Sequence, residues 1–131
     1  MNCYKAESEF SEFKNWTSAE NGCMEKGAHL TSIHSDAEND FLTPYAGEHA
    51  PYVFSGGRRT TENSFSWTDG TTFDYENWGA GEPMDAYDCI GLMTHPTNYP
   101  SIGKWGAFPC DYPHDKYICK KPLKGNINYM F

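Results

Sequence analysis

No stretch of the 131 residues approaches the roughly 20 consecutive apolar residues that a bilayer-spanning helix needs, so no membrane insertion is expected. Positive charge is scarce: 10 Lys plus Arg face 18 Asp plus Glu, a formal net charge of −8, and no basic run interrupts this acidic background. A phosphate backbone or an anionic lipid surface would be repelled, which sets nucleic acid aside as a partner. The chain has no internal repeat, no low-complexity tract and no Cys-x-x-Cys pair, so solenoids, zinc fingers and dithiol redox centres are not indicated. No basic segment followed by an apolar one opens it, and a secreted form is expected to have lost its signal already.

What is present is aromatic. Phe, Trp and Tyr make up 16% of the chain, with 4 Trp, enough to build one small globular core rather than a disordered segment. Five cysteines, Cys3, Cys23, Cys89, Cys110 and Cys119, lie far apart in the sequence. In so short a chain they read as an extracellular disulfide framework with one odd thiol, and spacing alone leaves the pairing open. Asn15-Trp16-Thr17 has the form of a glycosylation sequon, a triplet frequent by chance.

Alternation of Tyr4, Phe10 and Phe13 with polar residues suits a strand over 3–13. Thr17-Ser18-Ala19-Glu20 has the capping-box pattern and predicts a helix from 18 to Lys26 with Gly27 as its stop. Ser35-Asp36-Ala37-Glu38 opens a second helix, running through Phe41 and Leu42 to about Ala46-Gly47, and His29 to Ile33 reads as a short strand between the two. Further on, Gly, Asp, Asn and Pro punctuate the chain. Ser64 to Thr68, Asp69-Gly70 and Thr71 to Tyr75 read as a hairpin, Cys89 to Met93 and Tyr117 to Cys119 as strands, and 79–88 and 94–116 as loops long enough to carry function.

Several strings resemble the C-type lectin-like domain in order and spacing. They are Trp16-x-x-Ala19-x-x-x-Cys23, Gly27 to Ser35, Glu38 to Phe41-Leu42, Phe65 to Thr71, Asn77-Trp78, Gly81-Glu82-Pro83, Asp88-Cys89, Lys104-Trp105 and Tyr117-Ile118-Cys119. The resemblance implies an α+β fold, two helices with two small antiparallel sheets and long disulfide-stapled loops, over residues 1–123, followed by a tail over 124–131. It implies bridges Cys23–Cys119 and Cys89–Cys110. Cys3 is then unpaired, and an exposed thiol there would favour a disulfide-linked dimer.

In that family, carboxylates and amides share a calcium ion with two sugar hydroxyls. The mannose-type tripeptide is Glu-Pro-Asn, whereas this chain reads Glu82-Pro83-Met84. Methionine supplies no hard oxygen ligand. Tyr87 stands where the family has a second Glu, and Trp105-Gly106-Ala107 where it has Trp-Asn-Asp, so the sugar-linked calcium site is expected to be absent. An accessory calcium site is matched by Glu62, Asp85 and Asp88, with Arg58 in the fourth position. Arg58 is accordingly expected to pair with these carboxylates in place of the ion; solvated, unpaired charges are the alternative.

The five histidines show no metal-ligand spacing, and His29 is expected on the core strand. No nucleophile triad is indicated, and the domain is expected to be non-enzymatic. Glu82, Tyr87, Asp88, Tyr99 and Tyr112 are the candidate ligand-binding residues, because exposed aromatics stack on sugars and anchor proteins. Trp105 and Tyr117 are expected in the core. The segment 94–101, stiffened by Pro96 and Pro100, is long for the family. The resemblance implies a secreted recognition module for a glycan or glycoconjugate, met without the usual calcium; the second reading is a protein-binding member of the same fold. An ice-binding or venom-type effector receives no positive support from the residues.

Overall fold

The structure, a computed structural model, describes residues 2–8, 15–45, 52–95, 101–113 and 116–122. Strand β1 (Asn2–Ser8) leads to helix α1 (Trp16–Met24), a short β2 (His29–Leu30) and helix α2 (Asp36–Tyr45). Strands β3 (Tyr52–Thr61), β4 (Ser64–Trp67), β5 (Cys89–Met93), β6 (Trp105–Phe108) and β7 (Lys116–Pro122) complete the described order. Phe10 and Phe13, the expected helix end at Ala46-Gly47 and the 124–131 tail lie outside the described residues.

Helix α1 starts two residues before the expected position. Asn15 is its N-cap, with extended backbone and a side chain that accepts from Ser18 N at 2.9 Å. Glu20, the presumed partner of a Thr17 cap, turns inward instead. Its Oε1 accepts from Leu30 N at 2.8 Å and its Oε2 meets His29 Nδ1 at 2.8 Å, so it ties α1 to β2. Gly27 ends the segment at φ +72°, the left-handed backbone that glycine adopts without a Cβ penalty. At α2 the capping pattern holds at the hydroxyl: Ser35 Oγ accepts from Glu38 N at 3.1 Å, while the Glu38 carboxylate reaches one residue further back, to His34 N at 2.7 Å.

The strands form two antiparallel ladders. In one, β7 runs between β1 and β2; in the other, β3 carries β4 and β5, and β5 carries β6. A single parallel pairing, Phe54 with Tyr117, joins them into one sheet. The Asp69-Gly70 hairpin is a correction: Asp69-Gly70 does turn, with Gly70 at φ +79°, but the residues after it pair with no strand. Instead β4 folds back on β3 through Glu62-Asn63. Strand β2 is also shorter than His29 to Ile33, and β6 falls inside what the sequence suggested was loop.

Two buried clusters fill the molecule. One gathers Trp16, Ala19, Leu30, Phe54, Tyr117 and the Cys23–Cys119 bridge; the other gathers Ile33, Leu42, Val53, Trp67, Ile90, Leu92, Trp105 and Ile118. Both expected disulfides form, with Cα–Cα separations of 5.4 Å for Cys23–Cys119 and 5.3 Å for Cys89–Cys110. Cys3 is free, yet it is 5% exposed on β1 opposite Lys121. The exposure that a disulfide-linked dimer requires is therefore missing.

Candidate functional site

The 82–88 loop lies between β4 and β5 in sequence and is fastened from two sides. From one side, Glu82, half-buried, accepts from Ala107 N on β6 at 2.9 Å and from Met84 N at 3.2 Å. The carboxylate expected to face a ligand thus holds the loop to the sheet. Gly106 lies beside it, but a Cβ there would meet the Phe108 ring at 2.8 Å and the Glu82 carboxyl carbon only at an ordinary 3.4 Å. The Glu82-Pro83 peptide is cis.

From the other side comes Arg59. Its Nε donates to Asp88 Oδ1 at 3.1 Å, Nη1 to the Glu62 carbonyl at 2.6 Å, and Nη2 to the carbonyls of Met84 and Tyr87, both at 2.9 Å. The guanidinium sits 4.7 Å from the Phe65 ring centroid. This corrects the expected role of Arg58, which is exposed and lies over the Trp16 ring at 5.1 Å. Successive residues of a strand point to opposite faces, so a one-residue slip in a sequence match exchanges one face for the other.

Between these fastenings opens a cleft of about 260 Å³, lined by Arg59, Glu62, Asn63, Phe65, Glu76, Trp78, Pro83 and Asp85. The rings of Phe65 and Trp78 lie 5.1 Å apart, and Trp78 Nε1 donates to Glu76 Oε2 at 3.0 Å. Two of the three expected metal ligands, Glu62 and Asp85, line this cleft, and the third, Asp88, is linked to it through Arg59. Of the residues proposed to meet a ligand, Tyr87 (37% exposed) and Tyr112 (60% exposed) are on the surface, but neither lines the cleft. Tyr99 lies outside the described residues. Phe65, Asn63, Glu76 and Trp78 were missed as site residues. The signal available was the β3–β4 turn, which places Asn63 and Phe65 beside the loop that begins at Glu82.

These side chains do not suit the family's sugar-linked calcium. Met84 offers sulfur, Glu82 already accepts two backbone N–H groups, and Gly106 and Ala107 supply no side-chain oxygen. Among the described residues no group of three or more His, Cys, Asp or Glu side chains is placed to hold a metal ion.

A second cavity, of about 370 Å³, is bordered by His29, His34, Asp69, Thr71 and Lys120 together with Ala28 and Pro122. Lys120, 6% exposed, donates to Ser32 Oγ at 3.0 Å, to the Ser32 carbonyl at 3.2 Å and to Glu38 Oε2 at 2.7 Å. The Tyr4 hydroxyl donates to the same Glu38 oxygen, and Ser32 Oγ donates to Asp69. Burial alone would push the Glu38 carboxyl up, but the hydrogen bonds from Lys120, Tyr4 and the His34 amide outweigh it and hold Glu38 below the usual carboxylate range. Asp69 is likewise pushed up by burial and held low by Ser32 and Thr71. His34 pairs with Asp74 at 2.7 Å and His29 with Glu20, so both histidines bind neighbouring carboxylates within the fold.

The model of the lectin C-type domain matches residues 12–121. The versican core protein of Bos taurus is 36% identical over 124 residues, covering 91% of this chain and 3% of versican, so the chain spans a small part of that relative. Two solved structures are similar throughout. A calcium-independent type II antifreeze protein has 31% identity and a TM-score of 0.77, with 92% of this chain and 85% of that one covered. The C-type carbohydrate-recognition domain of cow CD23, solved in the presence of a GlcNAc2Man3 oligosaccharide, has 30% identity and a TM-score of 0.80, with 95% and 90% covered.

Proposed function

Since the chain belongs to the C-type lectin domain family, whose members recognise rather than catalyse, we propose that it is a secreted module binding a glycan or glycoconjugate in the Arg59 cleft without sugar-coordinating calcium. The cleft itself carries this reading. It sets the partly buried rings of Phe65 and Trp78 beside the side chains of Glu62, Asn63 and Asp85, which make no hydrogen bond to the other described residues. An aromatic face meets the C–H face of a sugar ring, and free carboxylate and amide oxygens accept from its hydroxyls. At about 260 Å³ the space lies just below the roughly 300–1,000 Å³ of ordinary ligand pockets, so it suits one terminal sugar rather than a long chain. The resemblance to a CD23 domain solved with an oligosaccharide supports the ligand class, and the two disulfides support secretion.

Three carboxylates line the cleft beside one guanidinium that is already engaged, so neutral or amine-bearing sugars are expected to be preferred over sialylated or sulfated ones. A glycan array run in chelator checks this, with Glu62→Gln/Asp85→Asn as the variant. Both side chains are exposed, so the variant keeps its melting temperature, and it is expected to lose about tenfold in affinity, roughly 1.4 kcal/mol. Sugar binding that needs calcium, or that ignores this variant, overturns the assignment. Exposed Met84, Tyr87 and Tyr112 favour one alternative, a protein-binding surface, and tight binding to a protein with no sugar response would establish it.

A further inference from the structure

A fold family that uses calcium to shape its binding loops is represented here by a chain whose side chains do not fit that ion, and what stands in the same region is a buried positive charge. We propose that Arg59 is a resident cation: its guanidinium holds the 82–88 loop against the β3–β4 turn, so loop closure needs no metal. This deepens the proposed function by giving a physical reason for calcium independence, and it rests on that reading only for the importance of this face.

The geometry is that of a caged ion. Four oxygens converge on one group: Asp88 Oδ1 and the carbonyls of Glu62, Met84 and Tyr87, all within 3.1 Å of a guanidinium nitrogen. The Phe65 ring lies against the guanidinium, and the arginine side chain is 11% exposed. Three of the oxygens belong to the loop, at 84, 87 and 88, and one to the turn, so a single side chain crosslinks two segments far apart in sequence. The backbone fastens the loop only at its end, where Arg59 N donates to the Asp88 carbonyl at 2.7 Å; further in, Tyr87 N to the Met84 carbonyl is long, at 3.4 Å. A planar guanidinium with five fixed donors suits this set of acceptors better than an ammonium does. Arg59 is thus a positioning residue for the recognition loop.

The test uses the whole chain and no sugar, so its outcome is separate from that of the glycan reading. Wild-type protein is expected to melt at the same temperature in millimolar calcium and in chelator. In chelator, Arg59→Ala is expected to lower Tm by about 5–10 °C and to speed hydrogen exchange of the 84–88 amides at least tenfold, while the α1 and β7 amides keep their protection. Arg59→Lys, which keeps the charge but loses the fork, should fall between wild type and Arg59→Ala. If Arg59→Ala does not fold, the milder Arg59→Lys gives the same readout in the 84–88 amides. Calcium stabilisation of the wild type, or unchanged exchange in the loop of Arg59→Ala, overturns the proposal.

Discussion

At the scale of single residues, several glycines are packing requirements rather than turn signals. The Tyr52 and Phe108 rings stack with centroids 3.6 Å apart and planes at 12°, spanning β3 to β6 across the intervening β5. That arrangement exists because Gly91 on β5 leaves the space beneath them. A Cβ built there would meet Tyr52 Cδ2 at 2.5 Å and Phe108 Cδ2 at 2.7 Å. Exchanging glycine for alanine in a strand ordinarily gains about 0.4–1 kcal/mol through the unfolded chain. Here the sign is reversed: Gly91→Ala is expected to destabilise by about 1–3 kcal/mol, because the rings must part or the strand must shift. Urea unfolding measures this, with a lower midpoint at unchanged slope expected; a raised midpoint would show that the stack yields without cost. The same scale explains the Arg58 error. A sequence match locates a cation within one residue, but only the pairing of β3 with β4 and β5 determines that Arg59, not Arg58, faces the 82–88 loop.

At the scale of elements, what the sequence disclosed depended on how local the signal was. Both helices were legible because the signals are local, the Ser35 cap at α2 and the stop glycine after α1, although α1 is capped by Asn15 and not by Thr17. Strand β3 was not. Its residues Tyr52 to Gly57 are buried, so no apolar-polar alternation marks it, and Gly56-Gly57 imitates a turn. Those glycines answer to distant neighbours instead: a Cβ on Gly56 would lie 2.5 Å from the Leu30 carbonyl and one on Gly57 2.4 Å from Ile90 Cδ1. The cleft was half-legible for a similar reason: Glu62 and Asp85 were named as metal-ligand positions, whereas Phe65 and Trp78, although within matched strings, enter the cleft only through tertiary packing. Between elements, α2, β7 and the loop at 69 meet through Glu38, Lys120, Ser32 and Asp69. Because Glu38 and Asp69 are held below their ordinary range, they contribute stability that is present above the unfolded carboxylate value near 4 and is lost as pH falls through the folded values. Melting temperature is therefore expected to hold from neutrality to about pH 5 and to drop below about pH 4. Lys120→Met removes the cationic partner of Glu38, leaving Tyr4 and the His34 amide, at a cost of about 3 kcal/mol, and shallows the acid limb because Glu38 is held less low. A melting series over pH for both proteins checks the sign, and an unchanged acid limb would refute the assignment.

At the scale of the whole molecule, the two disulfides divide the work of confining a chain with long irregular stretches. Cys23–Cys119 closes 96 residues and joins α1 to β7 inside the core that contains Trp16, Phe54 and Tyr117. Cys89–Cys110 closes only 21, bracketing β5 and β6, and it begins one residue after Asp88, the carboxylate held by Arg59. In the chain-entropy model the longer loop is worth about 4–5 kcal/mol and the shorter about 3 kcal/mol. Position separates the two bridges further than these magnitudes do. Replacing Cys23 and Cys119 by alanine removes a constraint on most of the chain and two sulfurs from a packed core, so it is expected to lower the urea midpoint for every probe together. Replacing Cys89 and Cys110 also takes sulfur from that core, of which Cys89 is a buried member, but it keeps the α1–β7 bridge and frees the start of β5, where the Arg59 oxygens are assembled. Its effect is therefore expected to concentrate in the 82–88 loop: faster hydrogen exchange there and weaker ligand binding, with protection in α1 and β7 retained. Amide exchange on the two double variants distinguishes these outcomes. Uniform loss of protection in the Cys89→Ala/Cys110→Ala protein would mean that the binding loops and the core fold as one cooperative unit, and that the recognition face has no freedom of its own.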